Sequence, residues 1–138
     1  MIEALIDTNV VLDYAEKREG FFEAAHEIFS HMLQGSFDGF VSASAITDIY
    51  YHLKKRYKDS DRALSLLKTL LDALLVIGVD RQTIEAALES GMLDFEDAVQ
   101  TAAARDFGID IVITRDPTGF QNSGLDVYSP EEFLTVLY

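Results

Sequence analysis

With 138 residues, a formal net charge of −13 and no cysteine, the chain is long enough for one sizeable core and has neither disulfides nor thiolate metal ligands. It lacks the roughly 20-residue apolar run of a membrane-spanning helix and a basic segment ahead of its first apolar stretch, so a globular cytoplasmic protein is expected. Its acidity repels nucleic acid on average, although Lys54, Lys55, Arg56, Lys58 and Arg62 put five of the eleven bases within nine positions.

Residues 2–6 (IEALI) read as a first strand, followed by a helical pattern with Val10, Val11, Leu12 and Tyr14 ahead of the charged EKREG. Residues 21–34 place Phe22, Ala25, Ile28, Phe29 and Met32 at helical spacing, and Gly35 ends that helix. DGFVS (38–42) is a second strand. The helical period resumes in SASAITDIYYHLKKR, with Ser42 or Ser44 as a cap. Asp61 is the expected cap of the next helix, which carries Leu64, Leu67, Leu70 and Leu71. LLVIGV (74–79) is too short for a helix and reads as a buried strand. Residues 80–90 are helical and closed by Gly91; DFEDAVQTAAARDFG is a helix capped by Asp94 and ended by Gly108. IDIVIT (109–114) is a β-branched strand ended by the turn-forming RDPTG, LDVYS a last strand, and PEEFLTVLY a last helix with Pro130 in its first turn. Strands alternating with helices imply crossover connections and a mainly parallel sheet covered on both faces. The expected architecture is therefore one α/β domain over residues 1–138, a three-layer sandwich.

In an open parallel sheet, ligands bind at the carboxyl ends of the strands. Asp7 ends the first strand, Asp116 lies just past IDIVIT, Asp97 opens the helix feeding that strand, and Asp48 sits early in the helix after the second strand. Each has an ordinary explanation. Asp7 can cap a helix, Asp97 can favour a helix start through its dipole, Asp116 can be a turn residue, and Asp48 can face water. Those explanations do not require the acids to meet. Two like charges about 4 Å apart repel by roughly 4 kcal/mol at a surface-like dielectric, and Arg115 is expected to alternate away from Asp116. A divalent cation is the natural remedy. Oxygen donors without cysteine suit Mg²⁺ or Mn²⁺; His26, His31 and His52 read as ordinary helix residues.

Four stretches in order, DTNVVLDY, ITDIYYHL, DFEDAVQTAAA and VITRD followed by GF, resemble the PIN domain, and more narrowly its single-domain members related to VapC toxins. The resemblance spans nearly the whole chain. It implies a metal-dependent ribonuclease on a parallel sheet, with Asp7, Asp48, Asp97 and Asp116 as its acids and Thr8, Asn9 and Thr114 as hydroxyl or amide neighbours. On that reading Asp7, Asp97 and Asp116 hold the metal, while Asp48, a methylene shorter than the Glu of many members, serves a second ion or orients the attacking water. The basic run 54–62 would gather RNA, with Tyr50, Tyr51 and Tyr57 as candidates for stacking on bases. The resemblance also implies an antitoxin partner and a homodimer; Phe21, Phe22, Phe37 and Phe133 exceed what a small core obviously buries. Two rivals stand beside it. A catalytically silent PIN-like module would bind RNA or protein without cutting. A receiver-like phosphotransfer domain would carry an acid at position 9 and a lysine at 115, where this chain has Asn9 and Arg115.

Overall fold

The computed structural model describes residues 1–138. In chain order the elements are β1 (Glu3–Ile6), α1 (Thr8–Ala15), α2 (Phe22–Leu33), β2 (Asp38–Ser42), α3 (Ala43–Tyr57), α4 (Ser60–Ala73), β3 (Leu74–Ile77), α5 (Arg81–Glu89), α6 (Phe95–Phe107), β4 (Ile111–Ile113), a 3₁₀ turn (Pro117–Phe120), β5 (Asp126–Tyr128) and α7 (Pro130–Leu137). The five strands form one sheet in the order β3-β2-β1-β4-β5, and every neighbouring pair is parallel. The architecture is the expected three-layer α/β sandwich.

Period-two alternation divides the sheet's side chains between two cores. Ala4, Ile6, Val41 and Ile113 face one side, where they pack with Val10, Ile28, Phe29, Ile49, Leu53 and Phe133 from α1, α2, α3 and α7. Leu5, Phe40 and Val112 face the other, against Ala103 and Ala104 of α6, Ile109 and Phe120. Helices therefore cover both faces. β1 lies at the centre, and the chain runs outward to β2 and β3 on one side before returning to β4 and β5 on the other. The topological switch thus falls between β1 and β4, where their carboxyl ends open a crevice.

Three local expectations are corrected. LLVIGV is a strand only over Leu74–Ile77 and is an edge, not a buried strand: Leu75 and Val76 are about half exposed. Composition marked it as apolar, but its position in the sheet decides its burial. Asp59, not Asp61, caps α4, because Asp59 has the extended backbone of an N-cap and its carboxylate accepts from the N–H groups of Asp61 and Arg62. Phe37 and Phe133 are fully buried and meet edge to face, so of the four phenylalanines only Phe21 is exposed outright. Ser42 occupies the N-cap position of α3 without a capping bond; its hydroxyl pairs with that of Ser44.

Candidate active site

β1 ends at Ile6, and Asp7 follows in extended conformation as the N-cap of α1, accepting from the N–H of Thr8 at 2.8 Å. Its own N–H reaches Ile113 O of β4 at 3.0 Å, which fixes it at the switch point. The carboxylate is almost completely buried (7 % exposed). Thr114 Oγ1 donates to Asp7 Oδ2 at 2.8 Å, and Gln100 Nε2 approaches Oδ1 at 3.5 Å. Thr114 Oγ1 also accepts from the N–H of Asp116 at 2.9 Å and from Asn9 Nδ2 at 3.5 Å. Asn9 Oδ1 in turn receives the N–H of Arg115 at 3.4 Å. Thr8, Asn9 and Thr114 thus brace the first carboxylate and the turn carrying Asp116.

Asp7, Thr8, Asn9, Asp97, Gln100 and Asp116 line one open cleft. Asp97 and Gln100 are three apart on α6 and so share a helix face. Burial raises the Asp7 carboxyl above its usual range and Asp116 adds to the rise, while bonds from Thr114, Thr8 and Gln100 oppose it. Asp97 is pushed up to about 7, first by burial and then by the charges of Asp7, Asp94, Asp116 and Glu96. The cleft therefore has an excess of negative charge that one acid relieves by keeping its proton near neutrality.

Asp48 does not line this cleft. It faces Glu96 across the α3–α6 contact, and burial followed by the hydrogen bond and charge of Asp48 raises the Glu96 carboxyl. Glu96 and Asp94 do line the cleft, so Asp48 reaches it through Glu96. Asp94 keeps its expected capping role, accepting from the N–H of Asp97 at 3.0 Å.

Sequence reasoning missed several cleft residues. His52 lines the cleft and is not merely an ordinary helix residue; it lies one turn beyond Asp48 on α3, and that spacing is the signal available in the sequence. Gln100 was detectable in the same way from Asp97. Glu96 and Arg18 carried no signal, because packing of α3 against α6 and the turn after α1 bring them in. Arg115 turns away from Asp116, as expected. Its guanidinium pairs through Nε and Nη2 with fully buried Asp13 and stacks 3.9 Å over the Phe21 ring.

As the side chains stand, no three carboxylates or imidazoles close on one point at metal-ligand distance. Three observations nevertheless fit a hard cation. The three acids supply only oxygen donors. Gln100 Oε1 is buried without a partner beside Asp7, an orphan that an ion's water would satisfy. Gly119 leaves a space that any side chain would fill: a Cβ there would lie 2.5 Å from Asp97 Oδ2 and 3.5 Å from Asp116 Oδ2. Asp7, Asp97 and Asp116 are the residues that would hold such an ion.

The basic run lies farther along α3 and into α4, with Lys54, Lys55, Arg56, Lys58 and Arg62 all exposed. Tyr57 is not free to stack on a base: its hydroxyl donates to Ala15 O, and Arg62 and Arg56 lie 4.0 and 5.2 Å from its ring centroid. Tyr50 packs on the core, whereas Tyr51 is 64 % exposed.

Comparison with known proteins agrees with the fold. Residues 3–118 match the PIN domain family. Ribonuclease VapC1 of Aquifex aeolicus is 27 % identical over 136 residues, covering 95 % of this chain and 92 % of that protein. Among solved structures, VapBC2 from Rickettsia felis bound to a promoter DNA fragment superposes with a TM-score of 0.74 at 12 % identity, covering 93 % of this chain and 98 % of that one. VapC20 of Mycobacterium tuberculosis, a toxin cleaving the sarcin-ricin loop, gives 0.62 at 19 % identity, with 79 % and 86 % covered. By its sequence match over most of its length and by its doubly wound parallel sheet, the chain belongs to the PIN domain family.

Proposed function

We propose that this protein is an Mg²⁺- or Mn²⁺-dependent endoribonuclease of the toxin type. The observation that carries the reading is the cleft in which Asp7, Asp97 and Asp116, from three separate segments, gather at the β1–β4 switch point with excess negative charge. The relatives support it: one is named a ribonuclease and another a toxin that cleaves an RNA loop. A bound cation supplies charge relief at the phosphoryl group and a more acidic water. The chain's own residues do the rest. Thr114 and Thr8 hold the Asp7 carboxylate in one rotamer, and Gln100 Oε1, buried without a partner, would accept from a water of the bound ion. Asp97, whose carboxyl is raised to about 7, releases its proton as a cation fills the cleft. Asp48 acts on the site through Glu96, so its contribution is smaller than that of the three acids in the cleft. The basic run 54–62 draws the RNA strand along α3 against the general negative field.

A protein antitoxin is the proposed partner, since relatives of the same fold were solved as toxin-antitoxin complexes. A homodimer is proposed as well, with the half-exposed apolar β3 edge among the surfaces a second copy could cover. No helix is long and apolar enough to cross a membrane. One observation favours the silent-module reading: Asp48 stands outside the cleft. The same experiment separates the two. Purified parent and Asp7→Asn protein are incubated with a mixed RNA panel in Mg²⁺, Mn²⁺ or chelator. Parent protein cuts with either cation and not with chelator, and Asp7→Asn does not cut although its fold survives. Cleavage by Asp7→Asn at the parent rate would refute the site, and a parent that binds RNA without cutting would establish the silent module.

A further inference from the structure

A cleft lined by carboxylates must still admit a polyanion, and Arg18 is its one permanently positive lining residue. The chain goes to some length to put it there. Helix α1 ends in a turn in which the Arg18 N–H bonds to Asp13 O at 3.1 Å and the Lys17 N–H to Tyr14 O at 3.3 Å. This is the paired pattern of a Schellman cap, whose left-handed residue is usually glycine. Here Lys17 takes that conformation, with φ at 52°, and the turn folds Arg18 back beside the helix it has just left. Two acids then hold the guanidinium. Nε donates to Glu16 Oε1 at 3.0 Å, and Nη1 lies 3.5 Å from Asp13 Oδ1. Both acids are buried, and Arg115 holds Asp13 as well, through Nε to Oδ2 and Nη2 to Oδ1. Arg18 Nη2 has no protein partner, and the side chain is about one-third exposed (32 %).

Resting on the ribonuclease reading, we propose that Arg18 contacts a phosphate of the bound RNA at the rim of the acid cleft, as a substrate-binding residue oriented by Asp13 and Glu16. With Nε and Nη1 engaged by the two acids, Nη2 is left as the donor group free to meet a phosphate oxygen. A lysine in the same place would supply the charge without the fixed fork. The arrangement also explains why Asp13 is wholly buried between two arginines: it ties the end of α1 to the turn after β4, so that the rim cation and the Asp116 turn move together.

The test is binding of a short single-stranded oligoribonucleotide, with Ca²⁺ in place of Mg²⁺, followed by fluorescence anisotropy across a KCl series. Parent, Arg18→Ala, Arg18→Lys and Arg18→Gln are compared; the glutamine retains a donor for Glu16 and serves if the alanine variant unfolds. Loss of the charge is expected to weaken binding about tenfold and to flatten the slope of log K against log salt by about 0.7, the value for one single-strand phosphate contact. Arg18→Lys keeps the slope and loses less affinity. Mn²⁺ uptake by calorimetry stays at the parent value throughout, which separates the rim from the acids. Unchanged affinity and slope in Arg18→Ala and Arg18→Gln, with a parent that binds and cuts RNA, would overturn the role of Arg18 and leave the ribonuclease reading intact. A parent that neither binds nor cuts RNA would overturn both.

Discussion

Replacing Gly119 with alanine tests the proposed metal position from the backbone side. Gly119 does not sit in the left-handed region, so alanine can adopt its conformation, but the new Cβ would stand 2.5 Å from Asp97 Oδ2. To reach ordinary contact at 3.4 Å the carboxylate oxygen must retreat by about 0.9 Å. Ligand distances in metal sites hold to about 0.2 Å, so a Cβ that forces a shift of that size hinders Asp97 from closing on a bound ion. Displacing an orienting or ligating group costs about 10- to 100-fold in metal affinity, equivalent to about 1.4–2.7 kcal/mol. The atom met is the free end of a side chain, so global stability should change by about 1 kcal/mol or less. Calorimetric titration with Mn²⁺ measures the first quantity and urea unfolding without metal the second. Parent affinity in Gly119→Ala would show that the ion does not lie between Asp97 and Asp116, whereas a stability loss of several kcal/mol would show that the turn, not the ligand, had been disturbed.

Four further outcomes are expected. Because Asp97 is raised to about 7, its fold favours the protonated form. The stability it contributes without metal is fully present below the unfolded value of about 3.9 and is lost as pH rises from there to about 7, so the metal-free melting temperature should fall between about pH 4 and 7 and level off above. Mn²⁺ should flatten that fall, with proton release visible as buffer-dependent binding heat; a flat metal-free profile would contradict the crowding of the cleft. Asp13→Asn leaves Arg115 and Arg18 without their shared buried partner and should cost about 3 kcal/mol, or about 10 °C in melting temperature, read by differential scanning calorimetry. Asp48→Ala should retain measurable cleavage under conditions where Asp97→Asn has none; equal loss in both would place Asp48 in the cleft itself. Lys54, Lys55 and Lys58 changed together to glutamate should raise KM for long RNA about tenfold, with kcat on a dinucleotide unchanged.

The alternation of strands and helices was legible because each element carries its own period and punctuation. Asp94 capped its helix and Gly108 closed it where the sequence placed them. Asp7 could be assigned to the end of β1 for the same reason. Burial of a strand was less legible, since LLVIGV has a core composition and an edge position. The choice between Asp59 and Asp61 as a cap turned on one residue's backbone conformation, which no composition encodes. In the cleft, the three acids at strand ends or at the start of α6 followed from topology. Arg18 and Glu96 did not, because their approach depends on how α3 leans against α6 and on a left-handed turn at Lys17.

The hydrogen bond from Thr114 to Asp7 joins residues 107 positions apart. Until β4 has slid in beside β1, the first carboxylate has no brace and the turn bearing Asp116 has no place to rest. The brace on the opening acid is therefore among the longest-range contacts of the site. A fragment cut anywhere between the two strands would hold Asp7 without its Thr114 partner, so the carboxylate is braced only once the last third of the chain has docked.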